Sequence, residues 1–369
     1  VKVTYEYCSE KCPPTLLNHN AQPEDPVWRA FLPACSAEEQ LFSIRLFGYA
    51  DATVIGIYWN HSLGDAWTLH QVLLSLSMHY SSAASSTKQP DLGNSLQHCL
   101  SDSTCCFPLA ADRNMPHRVL FNRPLQRSDL SKLTSCFAVS KINNVSTLPV
   151  TYFKIFVPDT VVGRLVQAKS FASHFGVPYL STWDVLYAHL LQIAAKFRWQ
   201  DLSKAPGEIL AGFAVNLRDR CPGLCDGLYF GNGVSGTYAT IPLAGLLVWS
   251  VAQVAACIRQ ANIAFNECTI RAQEEWQMAQ EDFTWNHLSN LNVNSFLFSK
   301  WSQFPYYDLK LTGRLRSWVM VDAVPLPWVI ISLGTRDGGW DLLLSAPSNE
   351  CSSYQKCLLD NLHAVTLPE

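Results

Sequence analysis

The chain has 369 residues, too many for one small core and enough for two domains. Hydrophobic residues make up 48% and charged residues 15%, which excludes a disordered chain. A formal net charge of -3 gives no basic footprint for nucleic acid or an anionic lipid surface, so small, largely uncharged partners are expected.

Val1 to Glu6 carries no apolar signal-peptide core, and the expected compartment is the cytosol. The 13 cysteines are odd in number and read as free, mostly buried thiols in a reducing compartment. Cys8-x-x-x-Cys12 and Cys221-x-x-x-Cys225 fit zinc clips only loosely, and no metal site is expected.

Leu41 to Phe47 reads as a strand, Gly48 to Asp51 as a turn, and Thr53 to Trp59 as a second strand leading into Asn60-His61. The period then changes. Ala66, Leu69, Val72, Leu73, Leu76 and Tyr80 recur at helical spacing, and Asp65 stands where an N-cap belongs. Ser81 to Cys106 is a polar loop, and Pro108 to Leu148 is irregular. Residues 131–150 are expected to be a crossover between an N-terminal domain, 1–130, and a C-terminal domain, 151–369. The sequons Asn60-His61-Ser62 and Asn144-Val145-Ser146 are discounted in a chain with no sign of secretion.

In the second half, Thr151 to Val157 is strand-like, Asp159 to His174 helical, and Ser181 opens a helix running through Phe197. Ile209 to Leu217 is a buried strand ending in Arg218-Asp219-Arg220. The apolar stretch Ile241 to Ile258 contains Pro242, Ser250 and Gln253 and reads as buried helix rather than a membrane span. Val251 to Gln277 is a long helix, and Trp318 to Ala323, Val329 to Leu333 and Asp341 to Ser345 are strands. Strands and helices alternate irregularly, without a glycine-rich phosphate loop, so an α/β fold with mixed sheets is expected.

His61-x-x-x-Asp65 is the pattern with chemical content, although His98-Cys99-Leu100-Ser101-Asp102 matches it too. Position separates them: His61 sits on a strand-to-helix connection and His98 in the polar loop. A neutral imidazole held at an element end can take a proton from an alcohol or amine, an effect of roughly 10²–10⁴-fold in rate. From spacing alone the reading favoured for His61 is a buried histidine satisfied by a carbonyl, and Asp65 is an ordinary helix cap.

Trp59-Asn60-His61-Ser62-Leu63-Gly64-Asp65-Ala66 resembles the histidine motif of the BAHD acyltransferases. In the family's order, Ser181 to His189 is similar to its Ser/Thr-aromatic helix and Ala214 to Arg220 to its Leu-Arg-x-Arg strand. Tyr229-Phe230-Gly231-Asn232 matches its Tyr-Phe-Gly-Asn turn, and Ser299 to Asp308 the approach to its second signature. The resemblance spans about residues 40 to 360. It implies a two-domain chloramphenicol acetyltransferase-like fold with the active site between domains. His61 would be the general base, acyl-CoA the co-substrate, and a small-molecule alcohol or amine the acceptor. No cofactor would be bound, and a monomer is expected. Asp65 would act structurally by pairing with Arg218 or Arg220, of which Arg218 is favoured.

The chain departs from the family twice. Lys310-Leu311-Thr312-Gly313-Arg314 stands where the family has Asp-Phe-Gly-Trp-Gly, and Asp337-Gly338-Gly339-Trp340 matches a later strand instead. Sixty residues precede His61, fewer than in the family, so the first strands are expected to be shortened or absent. The altered signature keeps a second reading open: a catalytically impaired relative that binds a small molecule or a protein. A peptide-synthetase condensation domain fits less well, because Asn60 and Ala66 replace its second His and its Gly.

Overall fold

The computed structural model of the chain describes residues 2–13, 26–32, 41–61, 63–84, 149–201, 205–218, 220–221, 229–278, 294–309, 326–334 and 339–365. They fall into two compact units. One gathers the described residues of Val1–Ala138, Asn216–Val234 and Gln303–Val321; the other gathers those of Val139–Val215, Ser235–Ser302 and Asp322–Glu369. The sequence placed everything after 151 in one domain. Two later segments instead join the N-terminal part, to which their polar side chains are hydrogen-bonded.

In the first unit, β1 (Lys2–Tyr7) lies parallel to β2 (Phe42–Gly48), which pairs antiparallel with β3 (Thr53–Trp59). Phe42, Ile44 and Leu46 of β2 are buried, and Phe42 meets Trp59 edge-on at 5.5 Å. Gly56 of β3 lets the 3-10 turn Pro26–Phe31 come close, since a Cβ there would lie 1.7 Å from the Phe31 carbonyl oxygen. The helix α1 (Ala66–Ala84) buries Val72, Leu73 and Leu76, the face its periodicity predicts.

The second unit is built on a mixed six-stranded sheet. Its strands are β4 (Val150–Val157), β5 (Glu208–Asn216), β6 (Val234–Pro242), β7 (Ser295–Lys300), β8 (Val329–Gly334) and β9 (Trp340–Pro347). Their order is β4-β9-β8-β7-β5-β6, with β5, β7 and β8 parallel and β9 antiparallel to β8 and β4. The helices are α2 (Asp159–Gln167), α3 (Thr182–Arg198), α4 (Leu243–Val248), α5 (Val251–Ala264), α6 (Glu267–Met278) and α7 (Cys351–Asn361). Every residue of α3 from Asp184 to Ala195 is buried, so this helix runs through the core. A capping box starts it: the Ser181 hydroxyl accepts from the Asp184 N–H, and the Asp184 carboxylate accepts from the Ser181 N–H at 2.6 Å.

Several expected elements differ. The helix expected over 159–174 ends at Gln167 and continues as 3-10 turns to Phe175, where Gly176 takes φ 68°. The apolar stretch 241–258 is helical in two pieces, because Ser250 and Gln253 form a second capping box that opens α5. The helix expected over 251–277 breaks after Ala264, and Asn266 caps α6 by accepting from the Thr269 N–H at 3.3 Å. β1, β6 and β7 were not anticipated. The expected strand 318–323, the residues 310–314 and most of the 131–150 crossover lie outside the described residues, as do His98 and Asn144. Among the described residues no helix is long and apolar enough to cross a membrane.

Candidate active site

β3 ends at Trp59 and α1 begins at Ala66, so His61 lies on the short connection between them. That connection is closely tied. Trp59 Nε1 donates to the Gly64 carbonyl at 2.8 Å, and the Leu63 N–H donates to the Asn60 carbonyl at 3.0 Å. Gly64 is buried, and a Cβ there would come within 2.5 Å of the Thr68 methyl. The Asn232 side chain then fixes the His61 backbone, its Nδ2 donating to the His61 carbonyl oxygen at 2.8 Å.

Burial holds the His61 imidazole below the usual histidine pKa. Its own backbone carbonyl, the Asp65 charge and the Asn232 side chain pull the other way without cancelling that effect. The ring is therefore neutral at neutral pH, the state a proton acceptor needs.

Asp65 caps α1 as expected, its Oδ1 accepting from the Thr68 N–H at 3.0 Å. The same carboxylate meets Arg218 with both oxygens, Nη1 to Oδ2 at 2.7 Å and Nη2 to Oδ1 at 3.3 Å. Both side chains are almost fully buried. Arg220, the alternative partner, is exposed.

A buried ion pair must offset the loss of water around both charges, and it does so only when the remaining donors are satisfied. Here they are. Arg218 Nη2 donates to the Gly231 carbonyl at 2.8 Å, Nε to the Tyr229 carbonyl at 2.9 Å and Nη1 to Asn216 Oδ1 at 3.2 Å. Its guanidinium also lies 4.2 Å from the centroid of the Trp67 ring. Thr68 completes the cluster, its hydroxyl donating to the Gly231 carbonyl at 2.7 Å and accepting from the Gly231 N–H at 3.1 Å. Gly231 has φ 152°, and a Cβ there would lie 2.9 Å from the Tyr229 hydroxyl.

From the third segment of the unit, the Tyr306 hydroxyl donates to the Ala66 carbonyl at 3.2 Å. Phe304 stacks on His70 at 5.6 Å, and Tyr306 meets that ring edge-on at 5.2 Å. Among the described residues, neither His70 ring nitrogen has a hydrogen-bond partner, and burial lowers its pKa.

His61, Asp65 and Arg218 thus belong to one unit, and the Tyr229 to Asn232 turn supplies the polar groups around them. Sequence reasoning marked that turn but assigned Asn232 no task, and it passed over Thr68 and Tyr306. For Thr68 a signal existed: position N3 of a capped helix always faces the cap. Cys8 is a free thiol, and among the described residues no group of three or more His, Cys, Asp or Glu could hold a metal.

Two mixed sheets with helices, in this strand order, define the α/β fold of the chloramphenicol acetyltransferase type, shared by the BAHD acyltransferases. The chain is similar in structure to vinorine synthase, with a TM-score of 0.63 at 14% identity over 98% of this chain and 76% of that one. It is equally similar to TRI101 of F. sporotrichioides, solved with coenzyme A and T-2: TM-score 0.63 at 12% identity over 96% and 78% of the two chains. TRI101 of F. graminearum, solved with coenzyme A and deoxynivalenol, gives 0.56 at 13% identity over 86% and 68%. No protein-family model matches the chain, and no curated protein sequence does.

Proposed function

We propose that the chain transfers an acyl group from an acyl-CoA thioester to the hydroxyl or amine of a small molecule, with His61 as general base. The observation that carries this reading is the His61 connection itself: a neutral imidazole on a backbone held by Asn232, beside a helix cap locked by Arg218. Support also comes from the fold, which is shared with structures solved with coenzyme A and a small molecule.

In the proposed reaction the imidazole takes the acceptor proton as its oxygen or nitrogen attacks the thioester carbonyl carbon. The tetrahedral oxyanion collapses, the C–S bond breaks, and the leaving CoA thiolate receives the proton from the imidazolium. Asp65 takes no proton in this scheme. Its charge is held by Arg218, and its task is to keep the connection in shape.

Thiol release measured with an acyl-CoA panel and mixed alcohols and amines tests the reading. His61→Ala is expected to abolish turnover while leaving melting temperature and CoA affinity nearly unchanged. Retention of most of the wild-type rate in His61→Ala would remove His61 from the mechanism. A wild-type chain that binds CoA but releases no thiol with any pair would instead favour a binding module, the reading motivated by the altered signature at Lys310 to Arg314.

A further inference from the structure

β5, β7 and β8 run parallel, and β9 starts where β8 ends, with Gly334 opposite Trp340. The carboxyl ends of parallel strands are where open α/β sheets hold ligands. Lys300 is the last residue of β7. Its ammonium lies 5.5 Å from the centroid of the Trp183 ring, and Trp183 stacks on Trp340 at 4.0 Å with 14° between the planes. All three side chains are half-buried. Tyr187 and Phe298 continue the aromatic surface into the core, Tyr187 lying 5.4 Å from Trp183 and 4.5 Å from Phe298.

Among the described residues, no carboxylate forms an ion pair with Lys300. Asp184 acts on it electrostatically, but Asp184 Oδ2 is already engaged by Arg259 Nε at 2.9 Å, by Arg259 Nη2, and by the Ser181 N–H and hydroxyl. Arg259 Nη1 in turn donates to the Tyr179 hydroxyl at 3.1 Å. Lys300 is the cation left over. Burial lowers its pKa; Asp184 opposes this and Arg259 adds to it. A half-desolvated ammonium without a counter-charge is costly, and the aromatic face offsets only part of that cost.

We propose that Lys300 anchors the carboxylate of a small-molecule substrate whose apolar body rests on the Trp183–Trp340 surface. The chemistry favours carboxylate over phosphate. A phosphate site adds to a lysine an arginine fork or several backbone N–H groups, and the neighbouring arginine is committed to Asp184. The inference goes beyond the acyl-transfer reading, which specifies no carboxylate on either the transferred acyl group or the acceptor, and its test reads binding alone.

Calorimetric titration of the full chain with phenylacetate and its neutral isostere phenylacetamide is expected to show the acid binding about 10- to 100-fold tighter. Lys300→Met should abolish the preference and Lys300→Arg should keep most of it. Because Lys300→Met removes an uncompensated charge and keeps the stem, its melting temperature should be unchanged or higher. Succinyl-CoA and butyryl-CoA locate the group. A succinyl preference lost in Lys300→Met puts the carboxylate on the donor. Equal affinity for the two thioesters, with the phenylacetate preference intact, puts it on the acceptor. A chain that binds neither thioester but keeps the acid preference retains the Lys300 anchor and loses the acyl-transfer reading. A preference that persists in Lys300→Met, or no preference in the wild type with either pair, overturns the proposal.

Discussion

At the scale of single residues, Asp65 performs two tasks with one carboxylate, capping α1 and neutralising Arg218. Removing it strands a buried guanidinium, which costs more than the intact pair contributes. Asp65→Ala should therefore lower stability by about 3–5 kcal/mol. Asp65→Asn keeps an acceptor for the Thr68 N–H but loses the charge, and should fall between. Combined with Arg218→Ala, the loss should be well below the sum of the single losses, since the second change removes the stranded partner. Denaturant melts of the four proteins measure this, and additive losses would show the two residues to be uncoupled. Asp65 was legible in the sequence because an N-cap acts within three residues. Arg218, 153 residues away, was legible only through the family resemblance. Asn232 was not, because its bond goes to a backbone carbonyl, and any residue at position 61 would present one.

At the scale of elements, β4 and β9 carry a charged pair inside the second unit's sheet. Lys154 stands opposite Leu343, which puts Asp341 on the same face one diagonal away, and the ion pair closes at 2.7 Å with both side chains 4% exposed. Lys154→Ala should destabilise by about 3–5 kcal/mol, while Lys154→Met with Asp341→Leu should be near neutral or stabilising. Thermal melts of the two variants decide it; equal losses would mean that apolar packing cannot replace the pair. β4 and β9 were readable as apolar runs. β6 was hidden because its buried positions are Ser235, Thr237, Ala239 and Ile241, so its period-two burial has little hydrophobic signal. The break between α5 and α6 was hidden for another reason: its mark is one polar residue, Asn266, whose side chain accepts from the Thr269 N–H.

At the scale of the molecule, three histidines among the described residues contribute to the response to acid. Burial lowers the pKa of His61, His70 and His189; for His189 a bond to the Leu362 carbonyl opposes this, and Lys196 adds to it. A histidine whose folded pKa is depressed binds its proton more readily when unfolded. Stability is therefore full above the ordinary histidine value of about 6.5 and falls as pH drops through it, by up to about 1.4 kcal/mol per pH unit for each group. Urea melts between pH 8 and 5 should show this decline, and His70→Leu should flatten it. Stability that rises on acidification would contradict it.

The discontinuity of the first unit, with residues 216–234 belonging beside α1, also sets a timetable for the nascent chain. When Asp65 leaves the ribosome its counter-charge has not been made. At about 5–20 residues per second, the 153 residues between them leave an interval of roughly 8–30 s. During that interval the cap at Asp65 has only Thr68 and water to satisfy it, so the cluster around it forms after translation has passed Gly231. Protease protection of ribosome-arrested chains should accordingly appear at the β3–α1 connection only in chains that extend well beyond Asn232.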